Sequence, residues 1–261
     1  MTSITNLLLA ALPRKSAALP RKSAALPRKS SVQNTSMAAI PNLLLAALPR
    51  KSYAELLPGL TPVELAFGHV LYEPGQMIDQ VYFPGDSMVS LLTLVEDHLA
   101  LEVGLVGFEG MVGSPLVLGV DRSPVRALVQ GSGSAMRMSA ASFRSALRRS
   151  PPLQRVLLRY VHALMSQVTQ TAACNRFHLV EARLARWLLM TRDRMRSDSF
   201  RLTQDFLSHM LGVRRVGVTE AAGALQRRKL IEYSRGVIGI LNGRGLEAAA
   251  CSCYRIVSRS T

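Results

Sequence analysis

The segment from Leu202 to Ile231 constrains the fold most, because its apolar residues mark two short helices separated by a glycine. Thr203 is a typical N-cap residue for the first helix, and Gly212 lies where a tight turn needs positive φ. The second helix is predicted over residues 214–229. Two helices joined in this way form a helix-turn-helix, whose second helix can enter the major groove of DNA.

The two helices are expected to turn their apolar positions inward and the polar positions of the second helix toward DNA. The expected core residues are Phe206, Leu207, Met210, Val218, Ala221, Ala222 and Leu225. Arginine can pair with guanine, glutamate can accept from cytosine, and valine can contact the thymine methyl group. The candidate DNA contacts are Gln204, Arg214, Arg215, Val216, Thr219, Glu220 and Arg235. Residues 227–229 are expected to cap the helix or to approach phosphate.

A β-hairpin is predicted after the second helix, because residues 231–241 alternate in polarity around Ser234-Arg235-Gly236. A helix pair followed by a hairpin is a winged helix, and this arrangement places Arg235 at the tip of the wing. A small helical bundle with a basic face is the structural alternative for the same spacing.

The net charge of +15 is distributed unevenly along the 261 residues. Residues 1–52 carry a net charge of +8, residues 53–150 carry −4, and residues 151–261 carry +11. A merely soluble basic surface would spread the charge evenly. The observed distribution favours a protein in which one domain faces a polyanion and another does not.

The N-terminus is repetitive, because residues 6–16 recur unchanged at 42–52 and a seven-residue unit occurs twice between them. Each unit contains a proline, which destabilises a helix interior by about 3 kcal/mol. Residues 1–36 are therefore predicted to form a flexible basic tail. Met37 is a candidate start, since residues 37–52 contain one complete copy of the repeat.

The chain contains three cysteines, which are too few for a disulfide framework and fit a reducing cytoplasm. Cys251 and Cys253 are interpreted as redox-sensitive residues or as small apolar fillers. No apolar run approaches the roughly 18 residues of a membrane span, and no secretory signal is recognised. No phosphate-binding loop, metal-ligand cluster or catalytic triad is found, so neither enzymatic activity nor a metal site is expected.

Residues 56–143 have the pattern of an antiparallel sandwich or barrel, in which short apolar runs alternate with turn signals. The predicted strands are 70–72, 81–83, 88–94, 99–106, 125–129 and 135–138. After Pro151 and Pro152, a long helix over 153–174 carries an apolar stripe. Such a stripe packs either on its own domain or against a second copy of the chain. A further helix is predicted over 180–194.

Together these features resemble the Crp/Fnr family of bacterial transcriptional regulators (cyclic-AMP receptor protein and fumarate–nitrate regulator). The order of elements in 42–255 matches the family, and residues 202–231 fit its helix-turn-helix without a gap. The resemblance implies an α+β fold. Its parts are a cyclic-nucleotide-binding-like antiparallel β-roll (a jelly-roll) at 37–150, a dimerisation helix at 151–178 and a winged helix-turn-helix at 179–261.

The resemblance also implies a homodimer on near-palindromic double-stranded DNA, with RNA polymerase as a further partner if the protein is an activator. The long helix would form the dimer interface. The apolar residues assigned to that interface are Leu153, Leu157, Tyr160, Leu164 and Val168.

The effector site is implied by the family's phosphate cassette, whose counterpart here includes Gly110 and Gly113. Arg122 and Ser123 resemble the Arg-Ser pair that holds a cyclic-nucleotide phosphate, although a solvated turn is the alternative for Arg122. Met111 stands where the nucleotide binders have a glutamate for the ribose hydroxyl. Cyclic AMP is therefore not expected, and the effector is a different small molecule or nucleotide, or is absent.

Other departures from the family narrow the hypotheses further. No cysteine precedes Cys174, so the N-terminal iron–sulfur cluster of the oxygen-sensing members is not expected. The lone histidines His69 and His98 are expected to be structural rather than haem ligands. Val216 and Glu220 replace the family's usual Glu and Arg, so its usual half-site is not expected either.

Two alternatives to a ligand-controlled regulator stay open. One is a ligand-independent regulator whose sensor only holds the dimer together. The other is a cyclic-nucleotide-binding-like module that acts through a protein partner, for which the basic C-terminal half has no evident use.

Overall fold

A computed structural model describes residues 42–95 and 100–260. The predicted tail at 1–36, the candidate start at Met37 and His98 lie outside the described residues. The strands are β1 (Thr61–Leu65), β2 (Val70–Tyr72), β3 (Gln80–Pro84), β4 (Met88–Leu94), β5 (Ala100–Val106), β6 (Arg126–Gly131), β7 (Gly133–Ser139), β8 (Ser199–Arg201), β9 (Ile231–Ser234) and β10 (Val237–Ile240). The helices are α1 (Leu43–Ala46), α2 (Arg50–Leu56), α3 (Ala140–Arg149), α4 (Pro151–Phe177), α5 (Val180–Met195), α6 (Gln204–Leu211), α7 (Arg215–Arg227), α8 (Gly243–Ala249) and α9 (Cys253–Ser260).

The N-terminal part is a β-roll made of two antiparallel sheets that share one apolar core. One sheet has the order β1-β7-β3, and the other has the order β2-β6-β4-β5. The predicted strands match β2 to β7 with small shifts at their ends. Strand β1 was not predicted, because Pro62 and Glu64 interrupt its apolar pattern and only Leu65 is buried. The antiparallel β-roll is thus confirmed.

The last copy of the repeat is folded and packed on the β-roll. Asn42 caps α1 by accepting hydrogen bonds from Leu44 N and Leu45 N, and its side-chain amide donates to Pro84 O and Gly110 O at 2.9 and 2.8 Å. Pro49 stands immediately before α2. The single proline of this copy therefore lies at the boundary between two short helices.

Helix α4 extends slightly beyond the predicted range, and Ser150 accepts a hydrogen bond from Leu153 N at its start. Five residues of this helix were assigned to the dimer interface, and four of these assignments are wrong. The side chains buried in the β-roll core of the same chain are Leu153, Leu157, Tyr160 and Leu164. Val168 is half-buried.

This error has a simple cause, because α4 is apolar on two faces and spacing alone does not say which face meets which partner. The opposite face exposes Leu158 and Met165, which are 44% and 63% accessible to solvent. Both are apolar residues of α4 that a second copy of the chain can reach.

The C-terminal part is a winged helix with its own apolar core, and all the core residues predicted for its two central helices are buried. Its sheet has the order β8-β10-β9. The hairpin was predicted, but β8 was not, because three residues are too few to show an alternating pattern. Within the described residues, no helix combines the length and the hydropathy that crossing a bilayer requires.

The β-roll and the winged helix meet around a buried carboxyl group. Glu102 on β5 accepts hydrogen bonds from Ser90 Oγ at 2.7 Å and from the Trp187 indole of α5 at 2.8 Å. Burial raises the pKa of Glu102 to about 7, although these hydrogen bonds and the charges of Arg186 and Arg194 oppose the shift. The junction therefore contains a carboxyl group that titrates near neutral pH.

Candidate DNA interface and effector pocket

The turn of the helix-turn-helix is formed by local backbone chemistry. Thr203 caps α6 by accepting a hydrogen bond from Phe206 N at 3.1 Å. Gly212 ends α6 with φ at +60°, a conformation that favours glycine. Arg214 then stands at the N-cap of α7 without a side-chain capping hydrogen bond. The helix is shorter than predicted by one residue at its start and two at its end.

The first half of α7 presents a polar, solvent-facing surface. The candidate contacts Arg214, Arg215, Val216, Thr219 and Glu220 are all exposed, whereas Val218, Ala221 and Ala222 are buried. Gln204 links the two helices, because its side-chain oxygen accepts from Thr219 Oγ1 at 3.0 Å and from Arg215 Nε at 3.5 Å. Helix α7, which can enter a groove of DNA, is thus held against α6 by these hydrogen bonds.

The wing adds to this surface. Arg235 and Gly236 form the tight turn of the hairpin, both with positive φ. The hydroxyl of Tyr233 donates to Leu202 O at 2.9 Å, and burial raises the pKa of Tyr233 to about 12. The cleft between the wing and α7 is lined by Thr203, Gln204, Arg215, Tyr233, Arg235 and Gly236. Gln204 of α6, Arg215 of α7 and Arg235 of the wing, three of the predicted contacts, therefore line one cleft.

The basic end of α7 is arranged differently from the prediction. Arg228 pairs with Glu181 of α5 at 2.7 Å, so it joins two helices instead of capping α7. Arg227 and Lys229 are exposed. Lys229 has φ at +54°, which turns the chain into the strand that follows.

A second candidate site is a pocket of about 670 Å³ between the β-roll and α4. Most of its walls are apolar, including Leu91, Val103, Met111 and Leu118. Helix α4 forms one side through Val161, Leu164, Met165, Val168 and Thr169. The pocket has the volume and apolar lining typical of small-molecule sites.

Three of the four residues predicted to bind an effector line this pocket: Gly113, Arg122 and Ser123. The Arg122 guanidinium is exposed and donates to Gly75 O at 2.8 Å. Ser123 is buried and donates to Val125 O at 2.7 Å. Polar groups are therefore present, but they are few.

Gly110 does not line the pocket and has a packing role instead. A Cβ atom at this position would lie 2.6 Å from the Tyr160 ring, whose hydroxyl donates to Met111 O at 2.9 Å. Met111 is buried, and Glu109 pairs with Arg194 of α5 at 2.7 Å. Glu109, the carboxylate of this loop, is therefore not among the residues that line the pocket.

The structure also brings together four residues that the sequence analysis did not connect. Cys174, His178, Cys251 and Cys253 have their ligand atoms within 4.8 Å of one another. The hydrogen bond between two of the thiols lowers the pKa of Cys251 to about 5 and, together with burial, raises the pKa of Cys174. The spacings Cys-x-x-x-His and Cys-x-Cys were the available signal, but 72 residues separate the two pairs along the chain.

Comparisons with known proteins agree with this geometry. Residues 182–249 match the family model of the Crp-like helix-turn-helix domain. A putative Crp/Fnr-family transcriptional regulator from Eubacterium rectale is 15% identical, with a TM-score of 0.64 over 80% of this chain and 98% of that chain. A Crp/Fnr-family regulator from Thermus thermophilus is 22% identical, with a TM-score of 0.61 over 73% of this chain and 98% of that chain.

A third similar structure is the c-di-GMP responsive global regulator CLP of Xanthomonas campestris. It is 15% identical, with a TM-score of 0.61 over 74% of this chain and 99% of that chain. A comparison with curated proteins gave no match. The structural likenesses extend across the β-roll, the long helix and the winged helix.

Proposed function

We propose that the chain is a DNA-binding transcriptional regulator of the Crp/Fnr family rather than an enzyme, and that it acts as a homodimer on a near-palindromic DNA site. In this proposal the β-roll up to residue 150 receives the signal, 151–178 form the dimerisation helix, and 179–261 bind DNA. The cytoplasm is the compartment in which these parts would meet DNA.

The observation that carries the proposal is the exposed, basic face shared by α7 and the wing. Arg214, Arg215 and Arg235 are exposed on it, beside the polar side chains of Gln204 and Thr219. An exposed arginine at the start of a helix can pair with guanine in the major groove, and an arginine at a wing tip can approach phosphate. Glu220 and Val216 would then add contacts to cytosine and thymine.

The dimer would form through the outer face of α4. Leu158 and Met165 are seven residues apart on this helix, which is the repeat of a helix pair that packs along its length. A second copy of α4 would cover both side chains. The two α7 helices would then lie about 34 Å apart, one turn of DNA.

In this proposal, an effector that binds in the pocket changes the packing of the dimer. Met165 and Val168 line the pocket, and Met165 also belongs to the exposed face of α4. A ligand in the pocket would therefore press on the helix that forms the dimer interface. The apolar walls favour a largely apolar effector whose polar end meets Arg122 and Ser123.

Selection of bound sequences from random DNA by the purified full chain tests the proposal. We expect a palindromic site whose half-sites are one helical turn apart. Absence of an enriched motif under every condition would contradict the function. Adding extracts of small molecules to the same selection would show whether the pocket controls binding.

A variant of α4 tests the homodimer separately. Met165→Asp places a charge in the proposed interface and should produce a monomer in analytical ultracentrifugation, with DNA affinity lowered at least 100-fold. Val95→Asp is the matched control, because Val95 is also an exposed apolar residue but lies outside α4. If Met165→Asp remains a dimer, the dimer interface lies elsewhere on the chain.

A further inference from the structure

The C-terminal end of α4 and the start of α9 meet at a group of soft metal ligands. Cys174 and His178 lie one helical turn apart at the end of α4, and Cys253 is the first residue of α9. The sulfurs of Cys174 and Cys251 are 3.4 Å apart, and Cys253 Sγ lies 3.5 Å from His178 Nδ1. Cys174 and Cys253 are fully buried.

These spacings match the size of a single tetrahedral ion. With Zn–S bonds of about 2.3 Å and a Zn–N bond of about 2.0 Å, two sulfurs lie about 3.8 Å apart and a sulfur and nitrogen about 3.5 Å apart. A [4Fe–4S] cluster binds each ligand through a different iron, and a [2Fe–2S] cluster divides its four ligands between two irons, so the ligands are spread across the width of the cluster. The ligand atoms here are all within 4.8 Å, which favours one ion.

The surrounding charges also favour an occupied site. Arg183 and Arg186 are buried on α5, and each has an Nε atom without a hydrogen-bond partner. Within the described ranges, neither arginine forms an ion pair with a carboxylate. A buried cation is stabilised by nearby negative charge, and the Glu102 carboxyl group supplies part of that charge to Arg186.

We infer that Cys174, His178, Cys251 and Cys253 bind one zinc ion that fastens the C-terminal helix to the end of α4. Three thiolates, a neutral imidazole and Zn²⁺ carry a net charge of −1, which offsets the positive charge of the neighbouring arginines. Gln170 donates a hydrogen bond to Cys253 Sγ at 3.0 Å and so orients a ligand from outside the site.

The position of the site gives the ion a mechanical role. Only His178 and Leu179, both extended, connect α4 to α5. Helix α9 packs on both of these helices. An ion bound to α4 and to the residues around the start of α9 would therefore add a second attachment between the dimerisation helix and the winged helix.

Metal analysis of the purified full chain tests the inference directly. Protein handled without chelators and under reducing conditions should contain one zinc per chain by mass spectrometry of the elements. Cobalt substitution should give the visible absorption of a tetrahedral ion and a sulfur-to-metal charge-transfer band. Iron with acid-labile sulfide, no bound metal, or a Cys174–Cys251 disulfide in place of metal would each overturn the inference.

Matched variants identify the ligands. His178→Ala and Cys251→Ser should lose most of the zinc. The cobalt that Cys251→Ser still binds should show a charge-transfer band about one third weaker per bound ion, because one of three thiolates is absent. His178→Cys should retain the ion, because it restores a fourth soft ligand. His162→Ala is the control, since His162 is an exposed histidine of the same helix. Zinc retained by His178→Ala and Cys251→Ser at the control's level would contradict the ligand set.

A thermal readout does not depend on DNA binding, so failure of this inference and failure of the proposed function are distinguishable. Removing metal with a chelator should lower the unfolding temperature of the native chain and of the control by several degrees. It should not change the unfolding temperature of Cys251→Ser. Equal sensitivity of all the proteins to chelator would show that the ion does not support the fold.

Discussion

The winged helix and the β-roll pocket arrange their polar and apolar residues in opposite ways. On α7 the apolar residues are buried, and the side chains that would contact DNA are exposed. In the pocket, apolar residues form most of the walls, and some of them also belong to the β-roll core. The winged helix can therefore change its target without disturbing its packing. A change in the pocket alters packing and ligand selection together.

The largest effect is expected from Leu157→Ala, on the buried face of α4. Removing this fully buried side chain from the β-roll core should lower the free energy of unfolding by about 2–5 kcal/mol. Val216→Ala, on the exposed face of α7, should change it by about 0.5 kcal/mol or less. Chemical denaturation measures both changes. Normal stability with a dissociated dimer in Leu157→Ala would instead place Leu157 at the interface.

The junction between the two regions should respond to pH. The pKa of Glu102 is raised to about 7 in the folded chain by burial, so the folded state holds this proton more tightly than the unfolded state. The stabilisation is complete at pH below about 4 and is lost as the pH rises through about 7.

Glu102→Gln keeps the shape of the neutral side chain and removes its titration. The variant should be more stable than the native chain at pH 8, by on the order of 3 kcal/mol, and similar to it at pH 4.5. Denaturation across this pH range measures the difference. The exposed residue Glu55 supplies the control, Glu55→Gln, which should follow the native curve. A native-like pH dependence in Glu102→Gln would assign the effect to another group.

The next effect concerns DNA recognition. Arg215→Ala should weaken binding to the selected site by about 1–3 kcal/mol and relax the preference at one base position. Arg228→Ala, which removes an arginine already paired with Glu181, should have a smaller effect on affinity. Binding measured on the selected site and on single-base variants separates the two. An equal loss on every sequence would mean that Arg215 contacts only phosphate.

The winged helix was predictable because local rules specify it. Thr203 and Gly212 mark the ends of α6, and the helical period identifies the buried residues of α7. The exceptions are β8, which is too short to show a pattern, and Arg228, whose partner Glu181 is distant in sequence. Interactions between distant segments have no local signature.

The same reasoning explains where the other assignments failed. The apolar stripe of α4 was visible, but Leu157 faces the β-roll, and only the folded chain shows that Met165 is the accessible residue. The four metal-ligand residues were visible as two pairs. Their approach depends on how α9 packs against α4, which neither pair specifies.

The smallest effect is expected at the rim of the pocket. Arg122 is exposed and makes a hydrogen bond to Gly75 O, so Arg122→Ala should change the free energy of unfolding by about 0.5 kcal/mol or less. An apolar dye that carries a sulfonate, anilinonaphthalene sulfonate, combines the two properties expected of an effector. Its affinity should fall by a factor of about two to five in Arg122→Ala, since an exposed ion pair contributes little.

The exposed residue Arg148 on α3 lies outside the pocket and gives the matched control, Arg148→Ala. Fluorescence titration should show native affinity for this control. If both variants bind the dye equally well, Arg122 belongs to a solvated turn, and the apolar walls alone select the ligand. The pocket would then select its ligand entirely through apolar residues that also stabilise the fold. The winged helix, in contrast, would select DNA through exposed residues that contribute little to its stability.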